Sequence, residues 1–387
     1  MRTIMKQYII LSGSILFLVL LTGCTSGKQR DKFTGDSKGT GNLYDPEIPF
    51  PPRHYVCFTT DEPVTIDGIL SESFWEEAEW TDDFIDIEGG HKPVPRFRTR
   101  VKMLWDRHYF YIAAELQEPH VWATLKQRDT VIFYDNDFEV FIDPDGDTHM
   151  YYEFEMNAFG TEWDLFLVKP YRDGGPAING WNITGLKTGV EVYGTINDPG
   201  SEDEKWTLEI AMPWKILKEC AGNSSLPENG DQWRVNFSRV EWQIDTTEGK
   251  YTRKKDPETG NLLREDNWVW SPQGKVDMHA PETWGFVQFS ERTVFEGTDT
   301  FYFNREEDVK WVLRQLYYKQ RSYLKKESRY AGSLDELGLQ NTSFKELPAI
   351  PQFFICGTQY EIIMPGFLPG ITWHIDNEGR TWKTTGH

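Results

Sequence analysis

Positive charge is in short supply in this sequence of 387 residues, which has 41 Lys and Arg against 61 Asp and Glu. The formal net charge is −20 with histidine neutral. Nucleic-acid binding depends on cations that displace phosphate counterions. The charge balance therefore excludes an unaided nucleic-acid binder, and we expect no nucleic-acid partner.

Cysteine is also scarce, and no two cysteines form a CxxC pair. The four are Cys24, Cys57, Cys220 and Cys356. Zinc sites and dithiol redox sites require closely spaced thiols, so neither is indicated. The last three cysteines allow at most one disulfide.

The sequence lacks the short motifs that mark common enzymes. It contains no GxSxG, HExxH, P-loop or GxGxxG pattern of the kind that builds a catalytic or nucleotide site. After residue 24 no stretch approaches the roughly 20 apolar residues that a membrane-spanning helix needs. We therefore predict no catalytic residues and no membrane-crossing segment in the mature chain.

The N-terminus resembles a bacterial lipoprotein signal. Arg2 and Lys6 precede an apolar run at residues 9–21, and Leu-Thr-Gly-Cys ends at Cys24. In such signals the cysteine is lipidated and becomes the new N-terminus. We predict a signal peptide over 1–23, lipidation of Cys24, and a location in the cell envelope on the periplasmic or surface face of the outer membrane. The alternative is an ordinary N-terminal core helix.

Two compositional changes divide the rest of the chain. Residues 24–52 are rich in Gly, Ser, Thr, Lys and Pro, which predicts a flexible tether. Residues 53–291 read as many short strands separated by turn residues, with short helices at 71–79 and 213–221. This pattern predicts a mainly β fold, an antiparallel β-sandwich of jelly-roll type.

One predicted hairpin gathers negative charge. The period of two places Asp137, Glu139, Glu153 and Glu155 on one surface if the two strands pair by their apolar faces. Like charges opposite each other destabilise a sheet, so a positive or polar partner is expected. Three candidates remain open: the strand cations Arg96, Arg98, Arg100 and Lys102; calcium; or a ligand rich in hydroxyl groups.

The turn of this hairpin carries its own carboxylates. Asp143, Asp145 and Asp147 are candidate ligands of a structural calcium ion. The turn is not an EF-hand loop, because Phe154 occupies the twelfth position where that loop needs glutamate. No cofactor is otherwise required.

Paired carboxylates could also act as the two catalytic groups of a glycosidase. Here, however, too many carboxylates lie together to identify one such pair. Aromatic residues favour binding instead. Thirteen of the 16 tryptophans lie between 53 and 291, more than packing requires. Rings exposed on a β-sandwich could stack on the apolar faces of sugars.

Six segments of the chain match one family pattern in a single consistent order, at residues 67–68, 101–116, 137–144, 151–157, 206–213 and 281–285. Together they resemble the family 9 carbohydrate-binding modules and their relatives in Bacteroidota. It implies a β-sandwich that binds saccharide without cleaving it, often with structural calcium and often attached to hydrolases.

The resemblance also implies site residues, with departures. Glu139 matches the strand glutamate of the family. Phe133, beside Tyr134, stands where the first of two sugar-binding tryptophans is expected, and Met278 stands at the second. Glu155 replaces an arginine two residues before Asn157. Trp268, Trp270 and Trp122 are then available as another stacking surface.

Residues 292–387 predict a small α+β C-terminal domain. Asn304 and Glu307 form an N-cap pair ahead of a helix of about 20 residues. Ser333 and Glu336 predict a second short helix, and residues 376–379 a hairpin turn. Such a domain could serve as a packing appendage or could contact a protein partner.

The function expected from the sequence is non-catalytic carbohydrate binding by a membrane-anchored lipoprotein in polysaccharide capture or utilisation. The expected partners are a poly- or oligosaccharide and a membrane reached through the lipid. Two alternatives stay open: a polysaccharide-degrading glycoside hydrolase, and a structural component of an outer-membrane complex.

Overall fold

The structure, a computed structural model, describes residues 42–222 and 226–386. Up to residue 293 the strands are β1 (His54–Thr59), β2 (Ile85–Asp86), β3 (Thr99–Trp105), β4 (Tyr109–Gln117), β5 (Asp137–Asp143), β6 (Tyr151–Asn157), β7 (Glu162–Leu167), β8 (Ala177–Ile178), β9 (Lys187–Tyr193), β10 (Lys205–Pro213), β11 (Gln232–Glu241), β12 (Ile244–Thr247), β13 (Lys250–Arg253), β14 (Asp266–Val269) and β15 (Gly285–Thr293). Two short helices, α1 (Ser73–Glu77) and α2 (Trp214–Leu217), lie within the segments predicted to be helical.

All of these strands except β12 and β13 belong to one sheet with the order β8-β7-β6-β5-β11-β15-β1-β3-β4-β10-β9, while β14 pairs with β11 and β2. Neighbours are antiparallel except at β1, which runs parallel to both β15 and β3. The sheet folds over at this strand, so that β15 to β8 form one layer and β1 to β9 the other.

The two layers enclose a single large core. Phe138, Val140 and Ile142 of β5 point into it, as the period of two predicts. Across the core, the ring of Phe138 lies 6.5 Å from that of Phe84. The opposite layer contributes Trp105, whose ring lies 5.9 Å from Phe289. The predicted β-sandwich is confirmed.

The C-terminal region has its own small core. The helix α3 (Glu306–Glu327) is followed by an antiparallel sheet of β16 (Gln352–Cys356), β17 (Gln359–Pro365), β18 (Ile371–Asp376) and β19 (Thr381–Thr385). The apolar side of α3, with Val309, Leu313 and Leu316, packs on Ile362 and Met364 of β17. The long helix and the final hairpin are confirmed.

The predicted helix at Ser333 is wrong. The Ser333 hydroxyl does accept the backbone N–H of Glu336 at 3.3 Å, yet residues 334–338 form turns. A single capping bond closes one turn, whereas a helix needs further turns to offset its nucleation cost. Here the segment ends at Gly338, which has a φ of +72°.

The predicted tether is wrong for its last residues. Leu43 is buried in the core beside α3, the N–H of Asp45 donates to Gln315 at 3.0 Å, and the ring of Phe50 stacks on Trp311 at 4.7 Å. The few apolar residues of this polar segment suffice to attach it to the helix. Residues 24–41 lie outside the described part of the chain, as do Cys24 and the signal segment.

Polar contacts join the C-terminal region to the sandwich. Arg234 of β11 pairs with Glu307 of α3 at 2.7 Å, and Asp147 pairs with Arg380 at 2.9 Å. Arg172 pairs with Glu282 at 2.9 Å, and Glu282 also accepts a hydrogen bond from Tyr318 of α3. The two parts therefore share a polar interface.

Within the described residues Cys57, Cys220 and Cys356 are free thiols. The same residues contain no helix that is both long and apolar enough to span a bilayer.

Candidate functional site

Four carboxylates meet on the outer face of β5 and β6, the face that points away from the core. We call Asp137, Glu139, Glu153 and Glu155 the carboxylate cluster. Glu139 pairs directly with Glu155, and Phe141 with Glu153, so these side chains share one face. Each of the four is at most 4% exposed. One oxygen each from Asp137, Glu139 and Glu155 lie within 4.8 Å of one another.

The cluster has fewer hydrogen bonds than its burial demands. The backbone N–H of Val240 donates to Asp137 Oδ1, and that of Phe133 donates to Glu155 Oε2, both at 3.2 Å. Asp137 Oδ2, Glu139 Oε2 and Glu153 Oε2 are buried with no partner. Buried polar atoms are nearly always paired, so these three oxygens call for a physical explanation.

The strand cations do not neutralise the cluster, and that prediction is wrong. Arg98 and Arg100 pair with Glu115 of β4 at 3.1 and 2.8 Å. Arg96 pairs with Asp266 at 2.5 Å, and Lys102 donates to the carbonyl of Trp75. For Arg100 and Lys102 the physical reason is the layering, because β3 lies in the opposite layer from β5.

One histidine lies near the carboxylate cluster but does not neutralise it. In the described part of the chain the only ionisable partner within 4.0 Å of the cluster is His279, whose Nε2 lies 4.0 Å from Glu153 Oε1. Burial and the charge of Arg172 lower the pKa of His279 to about 3. The ring is neutral at neutral pH and supplies no positive charge.

Burial raises the pKa of every member of the cluster, and repulsion from Glu139 raises the pKa values of the other three further. Burial is the largest cause and raises the pKa of Glu139 to about 7. Burial, followed by the charge of Glu139, raises the pKa values of Asp137, Glu153 and Glu155 well above their usual range. The cluster therefore holds protons more tightly than free carboxylates do.

Asn157 forms hydrogen bonds with the loop above the cluster. Its amide nitrogen donates to the carbonyl of Leu125 at 2.9 Å and to Asp135 at 3.0 Å. Its amide oxygen accepts two backbone N–H groups of the following turn. With these bonds made, Asn157 positions the loop, and its role toward a ligand stays a prediction.

An aromatic groove lies beside the same loop. Phe133 and Tyr134 end a single 3-10 turn, and Phe133 packs against Trp122 and Trp242. The Tyr134 ring is 51% exposed. The aromatic groove encloses about 750 Å³ and is lined by Trp122, Thr124, Leu125, Tyr134, Asp245, Thr247, Tyr251, Thr252, Arg253, Lys255 and Leu262.

About half of this groove comes from β12 and β13, two strands that were not predicted from the sequence. Glu248 and Gly249 between the two strands both have positive φ, +52° and +72°, the conformation of a two-residue hairpin turn. A short run with glycine at this turn, flanked by Thr and Tyr residues, was the available signal. Arg253 of β13 lies over the Tyr134 ring at 5.6 Å.

Trp268 and Trp270 do not form a stacking surface, which corrects the expectation for both. They are 3% and 0% exposed. Trp270 packs 5.9 Å from Phe237, and Trp268 lies beneath the guanidinium groups of Arg96 and Arg239 at 5.2 and 5.3 Å. A buried ring offers no face to a sugar, so these tryptophans are packing residues.

The aspartates of the turn come together as well. Asp143, Asp145 and Asp147 each offer an oxygen within 4.8 Å of the others. The two oxygens of Asp143, however, accept the N–H groups of Gly146 and Thr148, and Asp147 is bonded to Arg380. These bonds are the usual ones of an aspartate-rich turn, and calcium here stays a prediction.

Residues 66–291 match the family model described as carbohydrate family 9 binding domain-like. The chain belongs to this family. The match begins after β1, which nevertheless joins the two layers of the family 9-like domain.

Solved structures similar to this family 9-like chain cover a little under two thirds of it. One structure, from Bacteroides uniformis, is described as that of a proposed carbohydrate-binding protein and is 16% identical to this chain. The match covers 62% of this chain and 100% of the other chain, with a TM-score of 0.45. A second structure, of a family 9 carbohydrate-binding module from Caldicellulosiruptor kristjanssonii in complex with cellotriose, is 13% identical to this chain. The match covers 64% of this chain and 99% of the module, with a TM-score of 0.38. Its glucose complex is similar at 12% identity, 64% and 100% coverage, and a TM-score of 0.38. Comparison with proteins of curated function gave no match.

Proposed function

We propose that this chain binds carbohydrate without cleaving it, and that a sugar ring stacks on Tyr134 in the aromatic groove. The observation that carries the proposal is the half-exposed Tyr134 ring beside the loop that Glu155 holds. Tyr134 offers a flat apolar face. Asp245, Thr247 and Arg253 provide acceptors and donors for sugar hydroxyl groups around it.

A second groove of similar size suits a sugar less well. It encloses about 770 Å³ and lies between Asp61, Trp105, His108 and Glu228. Its one tryptophan, Trp105, is 5% exposed and donates its ring N–H to the carbonyl of Ser290. Trp105 is the only Trp, Tyr or Phe among the described residues that line this groove.

The carboxylates support binding over hydrolysis. Glycosidases need two carboxyl groups that flank the bond to be cut, about 5 to 9.5 Å apart. Asp137, Glu139 and Glu155 are closer together than this and are buried beneath the loop. A sugar in the aromatic groove would therefore contact the tyrosine ring and the hairpin before it met the carboxylate cluster.

The stacking role predicts a loss of affinity in Tyr134→Ala. We expect calorimetric titration with cello-, xylo- and manno-oligosaccharides to show affinity about tenfold lower than wild type, about 1.4 kcal/mol. Phe354→Ala is the matched control, since Phe354 is 52% exposed on β16 of the C-terminal sheet. Equal loss in both variants, or none in Tyr134→Ala, would contradict the site.

The same titrations separate the alternatives. Release of reducing sugar would favour a hydrolase. Absence of binding to every glycan, together with co-purification of envelope proteins, would favour an assembly role.

We also propose that Cys24 carries a lipid and holds the chain in the cell envelope, where it would serve polysaccharide capture. The support is the order of charge, apolar run and Leu-Thr-Gly-Cys in the sequence. In bacteria that express the whole chain, Cys24→Ser is expected to move it from the membrane fraction to the soluble fraction and to prevent labelling with palmitate. Thr25→Ser, which keeps the cysteine, should remain in the membrane fraction. Membrane retention of Cys24→Ser would refute lipid attachment.

A further inference from the structure

We propose that the aromatic groove selects a negatively charged saccharide, one that carries carboxylate or sulfate groups, and that Arg253 and Lys255 bind its anionic group. This inference rests on the proposed function, because it names the class of sugar for the same groove. A neutral sugar needs only an apolar face and partners for its hydroxyl groups. Two cations that no acid neutralises provide more than that.

The side chains of Arg253 and Lys255 are free to bind an anion. Both residues line the groove. Within the described residues neither side chain forms an ion pair or a hydrogen bond. Arg128 shows the more usual situation, since it pairs with both Glu162 and Asp164. The charges of the two groove cations are therefore not offset by the protein itself.

Two aromatic rings hold Arg253 in place. Its guanidinium carbon lies 4.6 Å from the centre of the Trp242 ring and 5.6 Å from that of Tyr134. A guanidinium group that lies over a ring keeps its N–H groups directed outward in its own plane. This planar fork matches the two oxygens of a carboxylate or sulfate group. A charged sugar stacked on Tyr134 would meet the fork directly.

The hairpin of β12 and β13 turns these cations toward the rings. Arg253 lies directly opposite Ile244 in the hairpin, and Tyr251 lies two positions before it on the same face. Ile244 and Tyr251 pack against the cluster that contains Trp122. Lys255 follows at the same period of two and pairs with Leu262. The face with the cations is therefore the face that packs on the aromatic residues.

The local charge has the opposite sign to that of the whole chain. The chain has a net charge of −20, yet residues 250–255 contain no acid and four cations, Lys250, Arg253, Lys254 and Lys255. Asp245 is the one acid among the described residues that line the groove, and it lies opposite Thr252 on the other face of the hairpin. Salt screens charges beyond about 8 Å at physiological ionic strength, so the nearby cations dominate at the groove.

The experiment compares charged saccharides with neutral counterparts of the same length. The whole protein is titrated by calorimetry with oligogalacturonate and with the same oligosaccharide after its carboxyl groups have been reduced to alcohols. Sulfated carrageenan oligosaccharides and their desulfated forms make a second arm, which distinguishes sulfate from carboxylate. We expect one charged form to bind at least about tenfold more tightly than its neutral counterpart. The difference should shrink at high salt, because salt screens the cations.

Variants locate the charge recognition. Arg253→Gln is expected to reduce the ratio of charged to neutral affinity about tenfold, because it removes both the charge and the fork. Lys255→Gln should reduce the ratio severalfold and leaves the contact between Arg253 and Tyr134 in place. Arg107→Gln is the matched control, because Arg107 is also an exposed arginine but lines the second groove. It should leave the ratio unchanged.

Each outcome decides the question. Equal affinity for charged and neutral forms in both arms would overturn this proposal and leave the proposed function standing. A ratio that stays the same in both Arg253→Gln and Lys255→Gln would also overturn it, since the anion would then bind elsewhere. Absence of binding by every saccharide, charged or neutral, would overturn the proposed function as well. Preferred binding of a charged form that is weakened in Tyr134→Ala would support both.

Discussion

In chelator, the protein is expected to lose stability as the pH rises from about 4.5 to about 7. Glu139 has a usual pKa of 4.5, and burial raises it to about 7 in the folded state. The folded state thus binds this proton more tightly than the unfolded chain does. Its contribution is fully present below pH 4.5 and is lost as the pH passes through about 7. For Glu139 alone the loss is about 3 kcal/mol.

Urea unfolding across this pH range measures the effect. Glu139→Gln removes the titrating group while keeping its shape, so its pH dependence should be flatter than wild type. Glu204→Gln is the control, because the side chain of Glu204 is 74% exposed. A wild-type protein equally stable at both ends in chelator would contradict the account.

The largest loss of stability is expected from Arg172→Ala. Arg172 donates to Glu282 at 2.9 Å, and both are buried where the sandwich meets α3. Burial alone would raise the pKa of Glu282, but Arg172, Arg314 and Lys275 hold it well below its usual range. Removing one partner of a buried pair leaves a buried charge and costs about 3–5 kcal/mol.

Arg329→Ala tests whether burial is the cause. Arg329 also pairs with a glutamate, Glu336, at 2.7 Å, but both side chains are at least 36% exposed. Exposed pairs contribute little to stability, because water screens their charges. Denaturant unfolding should therefore separate the two variants clearly, and equal losses would rule out the buried pair as a main contact of the interface.

Local patterning was enough to predict much of the fold. The alternation in β5 and β6 placed Phe138, Val140 and Ile142 in the core and the acids outside, because a period of two assigns faces without knowledge of the partner strand. The helix α3 was equally visible from its spacing of Val309, Val312, Leu313 and Leu316.

The local sequence pattern could not predict which layer of the sandwich each strand joins. Arg98 and Arg100 alternate with apolar residues as predicted, yet they pair with Glu115 because β3 pairs with β4 in the other layer. Pairing between distant strands depends on the whole sheet, and no local pattern carries it. The same limit applies to Trp268 and Trp270, whose burial is decided by strands far away in sequence.

The position of β1 has a consequence for how the chain folds. His54 pairs with Phe286, 232 positions further along, and Thr59 pairs with Thr293. The first strand of the sandwich thus has no partner on that side until nearly all of the domain has been synthesised. Such long-range pairing is slow to form, and meanwhile an edge rich in backbone donors and acceptors stays open. A chain stopped before β15 would expose that edge permanently, so nascent or truncated forms are the ones that need chaperone protection.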